Sequence, residues 1–317
     1  MPAGQEVTQP VALADWGSFH VGGRIVEIAG RTIEKVRFTS SVTFDWNPNG
    51  RYHVDHAYVQ YMIPAGATRL PVLFQHGGGL SGTMWETTPD GRPGWARLFL
   101  EAGHPVYVID GVERGRAGWC PFPEVWEGSP VLRSAEEAWA LFRFGRAEDF
   151  AARRGFAGQR FPVEALDAFL AAFSPRWASN NERAQAALIA AIERIGRCIV
   201  VAHSQGGEHG LVAALARPEL VAAYVGIEPS GFPEPSVASA AGHRFLFVLG
   251  DFLDATPLWT GLVAKIDAYA ATLARVGARS EVWRLAALGL HGHTHMPMMD
   301  RGSEAVAARI LDWLNAA

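Results

Sequence analysis

The stretch CIVVAHSQGG, residues 198–207, decides how the chain is read. Ile199, Val200, Val201 and Ala202 make a short apolar run, and His203, Ser204 and Gln205 lead from it into Gly206 and Gly207. A run of that length, rich in β-branched residues and bounded by glycines, has the character of a buried strand. A hydroxyl at its end, with small residues two positions before and two after, fits a tight strand-to-helix turn that lifts the serine oxygen clear of the sheet. Ala202 stands where glycine is commoner. The helix that follows would aim free N–H groups at the surroundings of the hydroxyl and favour negative charge there. A serine after a strand can also simply cap a helix, so other segments must supply the remaining parts of any chemistry.

Outward from this stretch, buried strands alternate with helices. PVLFQHGGG, GWARLFLEAG and PVYVIDG read as strand, helix, strand, with Pro93 near the start of the helix and Gly103 just past its end. A helix over about 181–195 carries Ala184, Ala187, Leu188, Ala191, Ile192 and Ile195 on one face. After residues 198–202 come the helix EHGLVAALARP, the strands AAYVGIEP and RFLFVLGD, a helix near 257–276, the strand SEVWRLA and a last amphipathic helix from Ser303. This alternation predicts an α/β fold with a mostly parallel central sheet covered by helices on both faces. The first seventy residues read instead as strands: RIVEIAG, KVRFTSSVTFDW and YHVDHAYVQYMIP. Residues 111–180 break the rhythm with Trp, Phe, Pro and Arg-rich sequence, too long for an ordinary loop. The expected organisation is a core formed by 1–110 and 181–317 with an inserted cap at 111–180, whose aromatics either line an apolar pocket or only pack the cap down.

Composition narrows the function classes. The 317 residues are 49% hydrophobic and 19% charged, enough for a sizeable core. Lys and Arg number 28 against 32 Asp and Glu, a formal charge of −4 with no long run of one sign, which argues against a nucleic-acid surface or a polybasic membrane patch. A small molecule is the expected partner. Cys120 and Cys198 fit no zinc or redox spacing, and whether they pair is left open. The amino terminus, MPAGQEVTQPVALADW, has neither a basic start nor an apolar signal core, and no stretch approaches ~18 uninterrupted apolar residues. The expectation is a cytoplasmic protein as the sequence stands, periplasmic or secreted if a leader has been removed.

Serine needs a base to take its proton and an acid to orient that base. QHGGGLSG, at the end of an earlier strand, offers backbone N–H groups that can approach an oxyanion without a Cβ in the way. Gly78 is the first choice for that donor and Gly79 the second, with the N–H of Gln205 as partner. A phosphate loop is disfavoured, because no Gly-Lys-Ser/Thr follows. The chain order Ser, acid, His leaves LGLHGHTHMPMMD for the base, where His291, His293 and His295 compete. His295 is preferred, since small or flexible residues precede it and the apolar run 296–299 follows to pack it. Glu228 and Asp251 both end strands, and position alone does not separate them as the acid. No cofactor is needed for such chemistry. The rival reading is a metal-dependent hydrolase using His291, His293 and His295, which alternate and would face one way on an extended segment; a non-catalytic binding protein on a hydrolase frame is a third.

Taken together, GSFHVGGR, HGGGLSGTMWETTPDGRPGW, GRCIVVAHSQGG, GIEP and HGHTHMPMMDRGSEAVAARILDWL resemble a bacterial and fungal branch of the α/β-hydrolase serine esterases, over about residues 17–314. The resemblance implies a carboxylic ester hydrolase and maps the acid onto Glu228 and the base onto His295, in a Gly-x-x-His-Met segment at Gly292. Some relatives carry cysteines where Gly78 and Gly79 stand, a pairing this sequence lacks. Relatives are often exported, and a homodimer is part of the same likeness.

Overall fold

The computed structural model describes residues 10–233 and 237–316. In chain order the elements are β1 (Leu13–Ile28), β2 (Glu34–Arg37), β3 (Thr43–Trp46), β4 (Gly50–Pro64), β5 (Val72–Gln75), α1 (Trp95–Glu101), β6 (Val106–Asp110), α2 (Ala135–Leu141), α3 (Leu166–Ala171), α4 (Asn181–Ile195), β7 (Cys198–His203), α5 (Gln205–Ala216), β8 (Val221–Ile227), β9 (Arg244–Leu249), α6 (Pro257–Arg275), β10 (Arg279–Arg284) and α7 (Ser303–Asn315).

Eight strands form one sheet in the order β1-β4-β6-β5-β7-β8-β9-β10. From β6 to β10 every neighbouring pair is parallel, whereas β4 joins β6 and β1 joins β4 antiparallel. This is the mostly parallel, helix-covered sheet of an α/β-hydrolase. The antiparallel pair is the strand-rich amino-terminal segment. KVRFTSSVTFDW divides into β2 and β3, paired antiparallel as a separate two-stranded sheet, because the chain turns at Ser40 and Ser41 and Phe38 N–H donates to Val42 O at 2.9 Å.

The core lies on both faces of the sheet, as the period of two along a buried strand requires. Cys198, Val200 and Ala202 of β7 pack with Leu188, Ala191 and Ile192 of α4, while Ile199 and Val201 face Phe99 of α1 and Ile310 of α7. Cys120 and Cys198 are both buried and unpaired, which resolves the open question of a disulfide. Residues 111–180 hold only short helices, of which α2 and α3 are the longest, and their aromatics Trp139, Phe142, Phe144, Phe161 and Phe169 are buried together. Among the described residues no helix is long and apolar enough to cross a membrane.

From β5 the chain passes to β6 on one side and later to β7 on the other. The loops after β5 and β7 therefore meet at a reversal of strand order, where open α/β sheets form a crevice beyond the carboxyl ends of their strands. QHGGGLSG and AHSQGG occupy those two loops.

Candidate active site

Ser204 connects β7 directly to α5 with φ 53° and ψ −120°, a backbone conformation that costs a non-glycine residue of the order of 1–3 kcal/mol. The turn is held from both sides: Ser204 N–H donates to Ile227 O at 3.0 Å, and Ser204 O accepts from Ser230 N–H at 3.1 Å. Gly206 is required by close approach, since a Cβ there would lie 2.2 Å from the His76 carbonyl oxygen. The serine side chain makes no capping bond to α5; its Oγ lies 3.1 Å from His295 Nε2.

His295 is fully enclosed, with Trp259 at a ring-centroid distance of 4.5 Å and Phe142 at 5.2 Å. Its N–H donates to Phe142 O at 3.0 Å, and its carbonyl lies 2.9 Å from His203 Nε2. His295 Nδ1 is 3.0 Å from Glu228 Oε2. Burial pulls the imidazole below its ordinary pKa, and the bond to Glu228 opposes that shift without cancelling it.

Glu228 follows β8 with φ 50°, and its carboxylate has no solvent exposure. While Oε2 faces His295, Oε1 accepts from Gly250 N–H and from Arg143 Nη2, both at 2.6 Å. Burial alone would raise this carboxyl, but the charge of Arg143 and the bond to His295 prevail and hold it at about 2. Asp251, the other acid candidate, does not approach His295. Its carboxylate accepts from Gly292 N–H and its carbonyl accepts from Arg143 Nε at 2.8 Å, so it braces the loop that carries the histidines.

The three alternating histidines diverge. Gly292, at φ +81°, breaks the extended run that would have aimed them one way. His291 is exposed, and His293 Nδ1 faces Asp300 Oδ2 at 3.2 Å. Among the described residues no three His, Cys, Asp or Glu side chains gather to hold a metal ion.

The glycine loop packs on the serine turn. A Cβ at Gly77 would lie 3.2 Å from Ser204 Cβ, and one at Gly78 would lie 2.7 Å from Gln205 Oε1 and 2.5 Å from Arg176 Nη1. Gly78 and Gln205 thus stand side by side next to the serine. Gly79 faces open space, and its carbonyl accepts from Ser174 N–H at 2.8 Å.

The atomic-resolution structure of a novel bacterial esterase superposes on this chain with a TM-score of 0.84 at 31% identity, covering 99% of both chains. The chain belongs to the α/β-hydrolase esterases. It is also 35% identical over 207 residues to "Probable secreted lipase phiG" of Fungal sp. (strain ATCC 74256), covering 61% of this chain and 54% of that protein. The chain thus spans about half the length of that curated relative. No family model matches.

Arg143 and Trp259 of the esterase were missed by sequence reasoning. Arg143 is fully buried, with its guanidinium 4.2 Å from the Trp259 ring centroid. The signal available was a lone charge inside the aromatic run WALFRF, residues 139–144. A buried arginine in such a run needs an acid partner.

Proposed function

We propose that the chain is a serine hydrolase cleaving carboxylic esters through Ser204, His295 and Glu228, with the N–H groups of Gly78 and Gln205 as oxyanion donors. The observation that carries this reading is the continuous relay from Ser204 Oγ to His295 Nε2 at 3.1 Å and from His295 Nδ1 to Glu228 Oε2 at 3.0 Å. His295, neutral at pH 7 because burial lowers its pKa, takes the serine proton as Oγ attacks the acyl carbon. Charge develops on the carbonyl oxygen, and two preorganised amides stabilise it. The imidazolium, balanced by Glu228, gives its proton to the leaving alcohol. Water then attacks the acyl-enzyme by the same route.

Residues 111–180 act in this proposal as a cap over a core of 1–110 and 181–317, and the cap's loops select the substrate. A small-molecule ester is the partner. The fungal relative's description as secreted supports export, and family resemblance supports a homodimer. Ser204→Ala is expected to lower kcat by at least about 10³-fold, and an acyl-enzyme mass adduct should map to the peptide containing Ser204. Glu228→Gln should lose far more activity than Asp251→Asn; the opposite ranking would reassign the acid.

A further inference from the structure

Two guanidinium groups flank the glycine loop, and neither has a carboxylate within 4 Å among the described residues. Arg176 donates through Nη1 to Gln205 Oε1, and that Nη1 is 2.5 Å from the place a Gly78 Cβ would occupy. Its Nε and Nη2 have no protein partner among the described residues, and the residue is partly open to solvent. Arg114 is 5% exposed; it reaches Leu80 O at 3.4 Å through Nη1, and its buried Nε has no partner. The carboxyl beside Arg114 is weak compensation, because burial pushes Glu113 up to about 7 and leaves it partly protonated near neutrality. Further out, Arg133 pairs with Glu137. The cost of the two under-compensated charges shows in the arginines themselves: burial and their cationic neighbours lower both, Arg114 to about 10. Uncompensated buried charge is expensive, and an anion in the site relieves it.

We infer that Arg176, backed by Arg114, forms an anion subsite beside the oxyanion loop, so that the preferred ester carries a carboxylate a few bonds from its scissile carbonyl. The inference rests on the serine-esterase reading and adds the substrate class. Arg176 fits the role geometrically: Gly78 and Gln205 hold the carbonyl oxygen in that reading, and the guanidinium touches both residues with two nitrogens to spare. A planar guanidinium offers paired donors that match a carboxylate. The formal charge of −4 gave no hint of this, because the positive field is local.

The test compares matched pairs of esters on the full chain at low ionic strength, corrected for spontaneous hydrolysis. 4-Nitrophenyl hydrogen glutarate against 4-nitrophenyl valerate places the charge on the acyl side, and 4-acetoxybenzoate against 4-acetoxybenzamide places it on the alcohol side. In one pair the anionic member should be favoured at least about tenfold in kcat/KM, the scale of a charge-assisted contact. Arg176→Met should bring that ratio to about one, and Arg176→Lys should restore part of it. If Arg176 only steadies Gln205, its loss lowers both members equally and the ratio stands, which overturns the subsite. A flat ratio in both pairs of the wild type also overturns it while leaving ester hydrolysis intact; turnover of neither member rejects the esterase reading itself. Should Arg176→Met not fold, the wild type still decides: glutarate should inhibit neutral-ester turnover at about a tenfold lower concentration than valerate, and equal inhibition refutes the proposal.

Discussion

Arg143 exchanges the hydration of a full charge for three fixed contacts: Glu228 Oε1, the Asp251 carbonyl and the Trp259 ring. Breaking such an enclosed pair by removing one partner costs about 3–5 kcal/mol, so Arg143→Gln should be visibly less stable. A structural loss alone would leave the pH dependence of the surviving activity unchanged. The electrostatics require more, because the charge of Arg143 lowers the pKa of His295. His295 must be neutral to accept the serine proton, and its pKa is lowered from the ordinary 6.5, so the midpoint of the acid limb of kcat/KM should lie below that pH. Without Arg143 the imidazole holds its proton more tightly, and the acid limb of kcat/KM should move to higher pH, with Arg143→Lys in between. An unmoved limb would reduce Arg143 to a packing role. Ser204, Glu228 and His295 were legible as candidates because each stands at a punctuated place, a strand end or a loop before the last helix. Arg143 was not, because its partner is 85 residues away in sequence and its neighbours read only as aromatic packing.

At the scale of elements, the loop between β10 and α7 carries His295 and is stapled by Asp300, a residue with no solvent exposure. Its Oδ2 accepts from Thr294 N–H at 2.6 Å and faces His293 Nδ1, while Oδ1 accepts from Thr294 Oγ1 at 2.9 Å. Asp300→Ala leaves those buried donors unmet, at about 1–3 kcal/mol each, and frees the loop that aims His295. Lower stability in denaturant titration and a fall mainly in kcat are expected; a fall confined to KM would locate the loop in binding instead. The serine turn depends likewise on backbone approach, and Gly206→Ala should destabilise by about 1–3 kcal/mol because the His76 carbonyl cannot swing away as a side chain would. Local pattern exposed most elements: the periodicity over 181–195 coincides with α4, and the apolar run at 198–202 with β7. It fell short where a turn or a side-chain staple sets the course of the chain. KVRFTSSVTFDW has strand character on both sides of Thr39, Ser40 and Ser41, a weaker turn signal than Gly, Asn or Pro, and the histidine loop was ambiguous until Gly292 and Asp300 had set its course.

Across the whole molecule, the reversal of strand order between β5 and β7 brings the glycine loop and the serine turn together at one end of the sheet, the loop after β10 adds His295 there, and ionisable groups are enclosed there and elsewhere in the fold. Six imidazoles lie below their ordinary pKa with burial as the leading cause: His56, His76, His104, His203, His209 and His295. Three carboxyls, Glu113, Glu208 and Asp300, are raised by burial. As pH falls through 6.5 the unfolded chain protonates its histidines while the native state resists, so the unfolded state binds more protons and stability drops. The raised carboxyls work in the opposite sense, because the native state takes up their protons first, but they are outnumbered. Glu228, held at about 2, adds to the loss as pH falls from its ordinary value towards that figure. Tm should therefore fall by at least about 5 °C between pH 6.5 and 4.5 by calorimetry, and a level Tm would contradict the assigned directions. Glu113 allows the two senses to be separated. Its raised pKa costs stability progressively from the ordinary 4.5 up to about 7 and fully above that, so Glu113→Gln should raise Tm at pH 8, with the gain closing as pH falls from about 7 towards 4.5 and the carboxyl of the unfolded chain is protonated as well. A variant whose advantage instead grew towards acid pH would show that Glu113 is ionised and stabilising in the fold, and Arg114 would then have a full counter-charge.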